Sequence, residues 1–326
     1  MTAGREKKGL LDQVRRSSRK VAEGARSVHI DERRIAPHAA SLPPERLQSP
    51  ELDPEHHFLG AGEATTAFFL VLDAVNFGSG YFPWLAKRPG LSGYFSIADC
   101  LKDHFREQGT PAAGDLSRLG VSDCLRIFRQ DPANPAAVEL MGLFARALND
   151  LGRFLQERFD GRFGGVVEEA GGSAEHLIEL LAGMPLFKDI EQWRGIRAPF
   201  FKRAQLAAAD LHFAFSGQGP GRFYDIDKLT VFADNLVPHV LRRDGILQFE
   251  RELAERIDRG ELIPAGSEEE VEIRACTIQA GELLVAELRR RVPGVNAMLL
   301  DNLLWHRGQR PEYRERPRHR TRTVFY

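Results

Sequence analysis

Five short stretches of this chain set charged side chains against aromatic or large apolar ones, the mixture from which small-molecule sites are built. Val75-Asn76-Phe77 closes an apolar run, and Phe200-Phe201-Lys202-Arg203-Ala204-Gln205 opens a helical pattern. Phe232-Ala233-Asp234-Asn235 precedes Leu236-Val237-Pro238, Val271-Glu272-Ile273-Arg274 interrupts an apolar pattern, and Leu299-Leu300-Asp301-Asn302-Leu303-Leu304-Trp305 surrounds one acid with leucines. Carboxylates in such settings serve as acids, bases or stabilisers of positive charge, and lysine or arginine beside aromatics suits an anion.

Each stretch also has a plain structural reading. Lys202 and Arg203 could be a solvated helical turn, although Phe200 and Phe201 argue for partial burial. Spacing alone favours a helix cap for Asp234. Glu272 and Arg274 are two apart and do not share a helix face, so an exposed charge is expected of each. Asp301 reads as a buried acid in need of a partner. Trp305, four residues on, shares its face and fits core packing as well as ligand contact.

The elements that must position these residues are helices. The pattern predicts helices over 10–27, from Asp31 as cap to about Ala36, where Pro37 discourages continuation, and over 63–76, which is apolar on every side. Further helices are expected over 96–108, in three amphipathic segments between 114 and 159, around 161–172 in short form, and over 173–182. Asn134 caps and Pro135 opens the clearest of the three segments, 135–151. Phe200 to Phe215 follows, with Pro199 at its entrance, and then 237–243, 248–259, 268–291 and 296–306. Only 28–30 and 322–326 look extended. The fold expected is mainly α, multi-helix and globular, with a few short strands. It is read as one domain over 1–326, open to division into two helical lobes, with 1–9 a disordered N-terminus.

Composition narrows the function classes. The chain has 326 residues, 43% hydrophobic and 28% charged, with 45 Lys plus Arg against 46 Asp plus Glu. No basic surplus is available for a long nucleic-acid backbone, so a small substrate is expected and direct nucleic-acid binding is not. Cys100, Cys124 and Cys276 form no CxxC pair, which suggests reduced thiols and a cytoplasmic setting. The longest apolar run, Ala67 to Val75, contains Asp73 and is too short to span a bilayer. Dinucleotide, P-loop, GxSxG and zinc patterns are missing; His56-His57 lacks any such context, and neither metal nor cofactor is expected. Physical reading stops at a helical, enzyme-like protein with a pocket suited to an anion.

Taken in order, the five stretches resemble the queuosine salvage family, over about Val14 to Tyr326. Phe201-Lys202-Arg203-Ala204-Gln205, Phe232-Ala233-Asp234 with Pro238, Val271-Glu272-Ile273-Arg274 and Leu299-Leu300-Asp301 with Leu303-Leu304-Trp305 carry the resemblance, with Gly93-Tyr94-Phe95-Ser96 in support. It implies a fold similar to helical DNA glycosylases. It also implies an N-glycosyl hydrolase that releases queuine, and ribose 5-phosphate, from queuosine 5′-monophosphate. The family's Asn-Phe-x-Phe-Trp run is replaced here by Asn76-Phe77 followed by Gly78-Ser79-Gly80-Tyr81-Phe82-Pro83-Trp84. Phe201 and Asn235 stand where the family has tyrosines.

The resemblance implies Asp234 as the carboxylate beside C1′ and Lys202 as its basic companion. Phe77, Tyr94, Phe201 and Trp305 would then pack on the flat base, and Asn76 would also bind the substrate. Asp227, Glu272 or Asp301 would accept its N–H groups or pair with the side-chain ammonium of queuosine, and Lys202, Arg203 or Arg274 would hold the 5′-phosphate or position Asp234. Two other classes stay open at this point: a nucleic-acid-binding protein of glycosylase-like architecture, and a non-catalytic carrier of queuosine or queuine.

Overall fold

The structure, a computed structural model, describes residues 9–47 and 52–326. The expected disordered N-terminus therefore lies outside the described residues, except for Gly9. The architecture is mainly α with short strands, as the pattern predicts. The chain folds into two compact units. One comprises 1–50, 189–200 and 225–320; the other comprises 51–188, 201–224 and 321–326. Among the described residues, no helix is long and apolar enough to cross a membrane.

In the first unit the Glu268–Leu288 helix is central, packing against the Leu10–Gly24, Ile35–Ser41, Val237–Arg243 and Ala297–Gly308 helices. Its start is set by Ser267, whose hydroxyl accepts from the Glu270 amide, and by three glutamates in a first turn where the helix dipole favours negative charge. From Glu270 to Ile278 every residue is buried. Two small antiparallel sheets complete the unit. Val28–Ile30 pairs with Leu247–Phe249, and Ile190–Trp193 pairs with Ile196–Pro199.

In the second unit the Glu63–Ala74 helix is buried on all sides, packed by the Gly93–Gln108, Pro135–Phe159, Phe163–Ala170 and Lys202–Ala214 helices. The Asn134 side chain accepts from the Ala136 and Ala137 amides, and Ser173 accepts from that of His176, as the capping rule requires. The longest helix runs on to Phe159, eight residues past its expected end; Gly152 does not stop it and lets the Ala113 carbonyl and Ser117 amide approach where a Cβ would come within 2.5 Å of both.

Several expectations need correction. Pro37 lies inside the Ile35–Ser41 helix, in its first turn, where its missing amide leaves no bond unmade. Residues 247–249 are a strand, and the following helix begins only at Arg251. The 190–199 hairpin was not expected; Arg194 and Gly195 turn it with φ of 44° and 79°, a turn with both φ positive and an arginine at its first position. Pro199 ends a strand rather than opening a helix, and the Gly93–Gln108 helix starts three residues earlier than read, where Ser92 accepts from the Phe95 amide. Residues 322–326 form no ladder among the described residues. They lie on the Gly78–Gly80 turn, where Gly78 donates to the Tyr326 carbonyl at 2.9 Å. A Cβ on Gly80 would come within 2.3 Å of the Thr321 carbonyl oxygen, so that close approach requires glycine.

Candidate functional site

In the first unit, three of the sequence-nominated residues converge on one stretch of backbone. Asp301 Oδ1 accepts the Phe232 amide at 2.7 Å, and Arg274 Nε donates to the Ala233 carbonyl at 3.1 Å. The next residue, Asp234, directs Oδ1 at the amides of Leu236 and Val237, at 2.7 and 3.0 Å. The N-cap of the Val237–Arg243 helix is Leu236, so Asp234 does not cap it as spacing suggested but holds the turn that leads into it. Asp234 uses one carboxylate oxygen for this; Oδ2 takes no hydrogen bond among the described residues, and the side chain is half-buried. One oxygen of Asp234 is anchored and the other is available for chemistry.

Arg274 is fully buried, against the exposed charge expected of it. Its guanidinium makes a two-pronged contact with Asp189, at 2.9 and 2.6 Å, and lies 4.0 Å from the Phe200 ring centroid. Glu272 is buried as well. It accepts from the Arg26 and Ser27 amides and from Trp193 Nε1, at 3.0, 2.6 and 3.1 Å. The exposure rule failed for both because this helix has no solvent face at that level. Glu272 thus ties the end of the first helix to the 190–199 hairpin and is not brought to Asp234. Asp227 is exposed in a single 3-10 turn, Ile226–Lys228, whereas its neighbour Asp225 is buried. Trp305 is half-buried one turn after Asp301, its ring edge-on to His306.

In the second unit a buried polar cluster gathers Asn76, Tyr94 and Lys202 around an acid that was not nominated, Asp73. Asp73 is fully buried; Oδ1 accepts from Asn76 Nδ2 at 3.2 Å and Oδ2 has no partner among the described residues. Burial pushes its carboxyl up to about 7, against the opposing pull of Asn76, Lys202 and Arg203. The buried Asp210 is a second acid of this cluster, raising the Tyr94 phenol further above a level already set by burial. Tyr94 also meets His57, 2.9 Å from its Nε2, while His57 Nδ1 faces the Asp53 carbonyl at 2.9 Å. A carbonyl only accepts, so Nδ1 carries the proton, and Tyr94 donates to Nε2.

Arg203 is spent on structure. It donates to the carbonyls of Asp73, Ala74 and Leu186, and its guanidinium is flanked by the Phe77 and Phe187 rings at 4.8 and 4.4 Å. Phe77 is buried between Arg203 and Phe144. Phe201 stands at the helix entrance with φ 50° and ψ 38°, a left-handed conformation that is strained for an aromatic residue and that recurs at functional positions. It delivers Lys202, itself buried, as the first helical residue. The signal for Asp73 was present in the sequence, as a single acid inside a run apolar on every side. Asp189 and Asp210 had none. Donor atoms of Asp53, Glu55 and His56 lie within 4.8 Å of one another, but the His56 ring already holds Asp99 at 2.7 Å.

Comparison with known proteins bears on this arrangement over nearly the whole chain. The family model described as queuosine salvage protein matches residues 56–326. A Sphaerobacter thermophilus protein named queuosine 5′-phosphate N-glycosylase/hydrolase is 40% identical, over 95% of this chain and 96% of its own. Proteins of the same name from Mus musculus and Bos taurus are 33% and 32% identical, covering 96% and 98% of this chain and 98% and 99% of theirs. With the match spanning both compact units, the chain belongs to the queuosine salvage protein family.

Proposed function

We propose that this protein is an N-glycosyl hydrolase that releases queuine from queuosine 5′-monophosphate, leaving ribose 5-phosphate. The observation that carries this reading is the near-full-length similarity to proteins named for that activity. Breaking the glycosidic bond builds positive charge at C1′, and a fixed carboxylate stabilises that charge without having to reorganise. Asp234 suits this role, since its anchored Oδ1 sets the direction of Oδ2, which lies against C1′ or orients the attacking water. The leaving base is a 7-deazaguanine with no N7 to protonate, so its departure depends on hydrogen bonds around its edge. Arg274 and Asp301 serve as positioning residues for Asp234 through the Phe232-Ala233 backbone. Lys202 contributes its buried charge to the cluster around Asp73.

The test is to incubate the purified chain with queuosine 5′-monophosphate and look for free base by mass spectrometry. Release of queuine and ribose 5-phosphate in equal amounts is expected. Tight binding of the nucleotide without release would make the protein a carrier, and salt-dependent binding to DNA or tRNA without turnover would make it a nucleic-acid-binding protein.

A further inference from the structure

The Val237–Arg243 helix has seven residues, too few to be stable by itself, so its place is set by what packs against it. The two amides that hold Asp234 Oδ1, those of Leu236 and Val237, stand at its entrance and move with it. The backbone just before Asp234 is held by a different helix, Ala297–Gly308, through Asp301 and the Phe232 amide. The direction of Asp234 Oδ2 therefore depends on how these two helices lie against each other. They touch at Gly308, where an added Cβ would come within 2.5 Å of Leu236 Cδ1 and 2.9 Å of Val240 Cγ2. Gly308 has no positive φ, so the close approach, and not the backbone conformation, requires glycine there.

One buried residue fastens the two helices together. The Tyr313 hydroxyl accepts from Arg307 Nε, on the Ala297–Gly308 helix, and donates to Asp244 Oδ1 at 2.7 Å, at the end of the Val237–Arg243 helix. Arg307 Nη2 also reaches Asp244 Oδ1, at 3.5 Å. The Tyr313 carbonyl accepts from His239 Nε2 at 2.7 Å, in the first turn of the short helix. Tyr313 thus grips that helix near its start through the main chain and at its end through the side chain. Burial and the Asp244 carboxylate push its phenol up to about 12, so the hydroxyl keeps its proton near neutral pH. We propose that Tyr313 is a positioning residue for Asp234: by locking the Val237–Arg243 helix onto the Ala297–Gly308 helix, it fixes the direction of the carboxylate oxygen that serves the reaction. This rests on the hydrolase reading above. Arg274 and Asp301 hold the backbone before Asp234, and Tyr313 governs the backbone after it.

The experiment compares the full chain with Tyr313→Phe and Gly308→Ala, each alone and combined with Asp234→Asn. It measures kcat and KM for queuosine 5′-monophosphate below every melting temperature, and hydrogen exchange of the Leu236 and Val237 amides by NMR. Tyr313→Phe keeps the ring and the carbonyl and removes only the hydroxyl. It should lower kcat by about 10- to 100-fold, the scale of a misplacement of up to 1 Å, leave KM nearly unchanged and speed exchange of both amides. Gly308→Ala removes no hydrogen bond and should reproduce the pattern by pushing on Leu236, so it carries the test alone if Tyr313→Phe does not fold. Combined with Asp234→Asn, neither substitution should lower kcat further, because both act through a charge already removed. Equal fractional losses with and without Asp234→Asn would make the role general to the fold and overturn the proposal. Wild-type kcat in both variants, a loss confined to KM, or unchanged exchange at Leu236 and Val237 also overturns it. Absence of queuine release by wild type would instead sink the hydrolase reading, and amide exchange would then decide by itself whether Tyr313 holds the anchor of Asp234.

Discussion

Arg274 donates its Nε–H to the carbonyl of Ala233, one residue before Asp234, while its other two nitrogens grip Asp189. A fully buried guanidinium thereby fixes the backbone that carries the candidate carboxylate. Lysine cannot hold Asp189 and Ala233 together in this fork geometry. Arg274→Lys should lower kcat by about 100-fold, the scale of a misplacement near 1 Å, with a much smaller change in KM. Arg274→Ala should also cost about 3–5 kcal/mol of stability, because Asp189 would be left buried without its counter-ion. A lysine variant with wild-type kcat would remove the positioning role.

Asp301 supports the same backbone from the other side, through the Phe232 amide. Asp301→Asn keeps an oxygen acceptor there, whereas Asp301→Ala leaves that amide buried without one. Steady-state kinetics should place the asparagine variant close to wild type and the alanine variant well below it, with a stability loss of about 1–3 kcal/mol. If the two variants are equally impaired, the Asp301 carboxylate does more than hold the amide, and contact with the substrate becomes the better account.

Asp234→Asn separates chemistry from the anchoring of the turn. The asparagine side-chain oxygen can still accept from Leu236 and Val237, so thermal stability should stay near wild type. What disappears is the negative charge at Oδ2. Release of queuine should slow by about 100- to 10,000-fold while nucleotide binding persists. Full activity in this variant would take Asp234 out of the mechanism.

Much of this arrangement was legible in the sequence, and the rest failed for identifiable reasons. The Glu63–Ala74 helix was readable because a segment apolar on every side must be central. Asp234 was expected to cap the helix it precedes; instead Leu236 is the N-cap, and Asp234 holds the turn before it through the Leu236 and Val237 amides. Burial of Arg274 was not legible because its counter-ion, Asp189, lies 85 residues away in the chain. The 190–199 hairpin was missed because its turn puts Arg194, not glycine or asparagine, at positive φ. The Leu247–Phe249 strand is too short for alternation to register.

Asp73 makes a prediction about stability rather than rate. Its carboxyl is pushed up to about 7 from 3.8, chiefly by burial, so the fold prefers it neutral. Between these values the native chain holds a proton that the unfolded chain has released. The associated stability is complete below about pH 4 and is lost as pH rises through 7. Asp73→Asn should therefore raise Tm at pH 8 relative to wild type and shrink the difference between melts at pH 5 and pH 8. Parallel pH profiles for the two proteins would show that Asp73 ionises without penalty, with Lys202 as an adequate counter-charge.

The buried histidines act in the opposite direction. Burial depresses His57 and His239 to about 4 and His319 to about 3, so all three are neutral in the fold near neutral pH. The unfolded chain takes up these protons first, from about 6.5 downwards. Stability is therefore fully present above that value and drains away as pH falls towards 4, and for His319 towards 3. His57 adds a sharper test, because its Nδ1 must donate to the Asp53 carbonyl and its Nε2 must accept from Tyr94. Nitrogen-detected NMR should find the Nδ1–H tautomer, with no titration between pH 7.5 and 5. In Tyr94→Phe the buried Nε2 lone pair loses its donor, at a cost of about 1–3 kcal/mol, and the His57 signal should shift even though the phenyl ring still fills the space. A His57 that titrates near 6.5, or whose signal is indifferent to Tyr94, would break the chain Asp53–His57–Tyr94 and leave the Tyr94 hydroxyl proton free to point elsewhere.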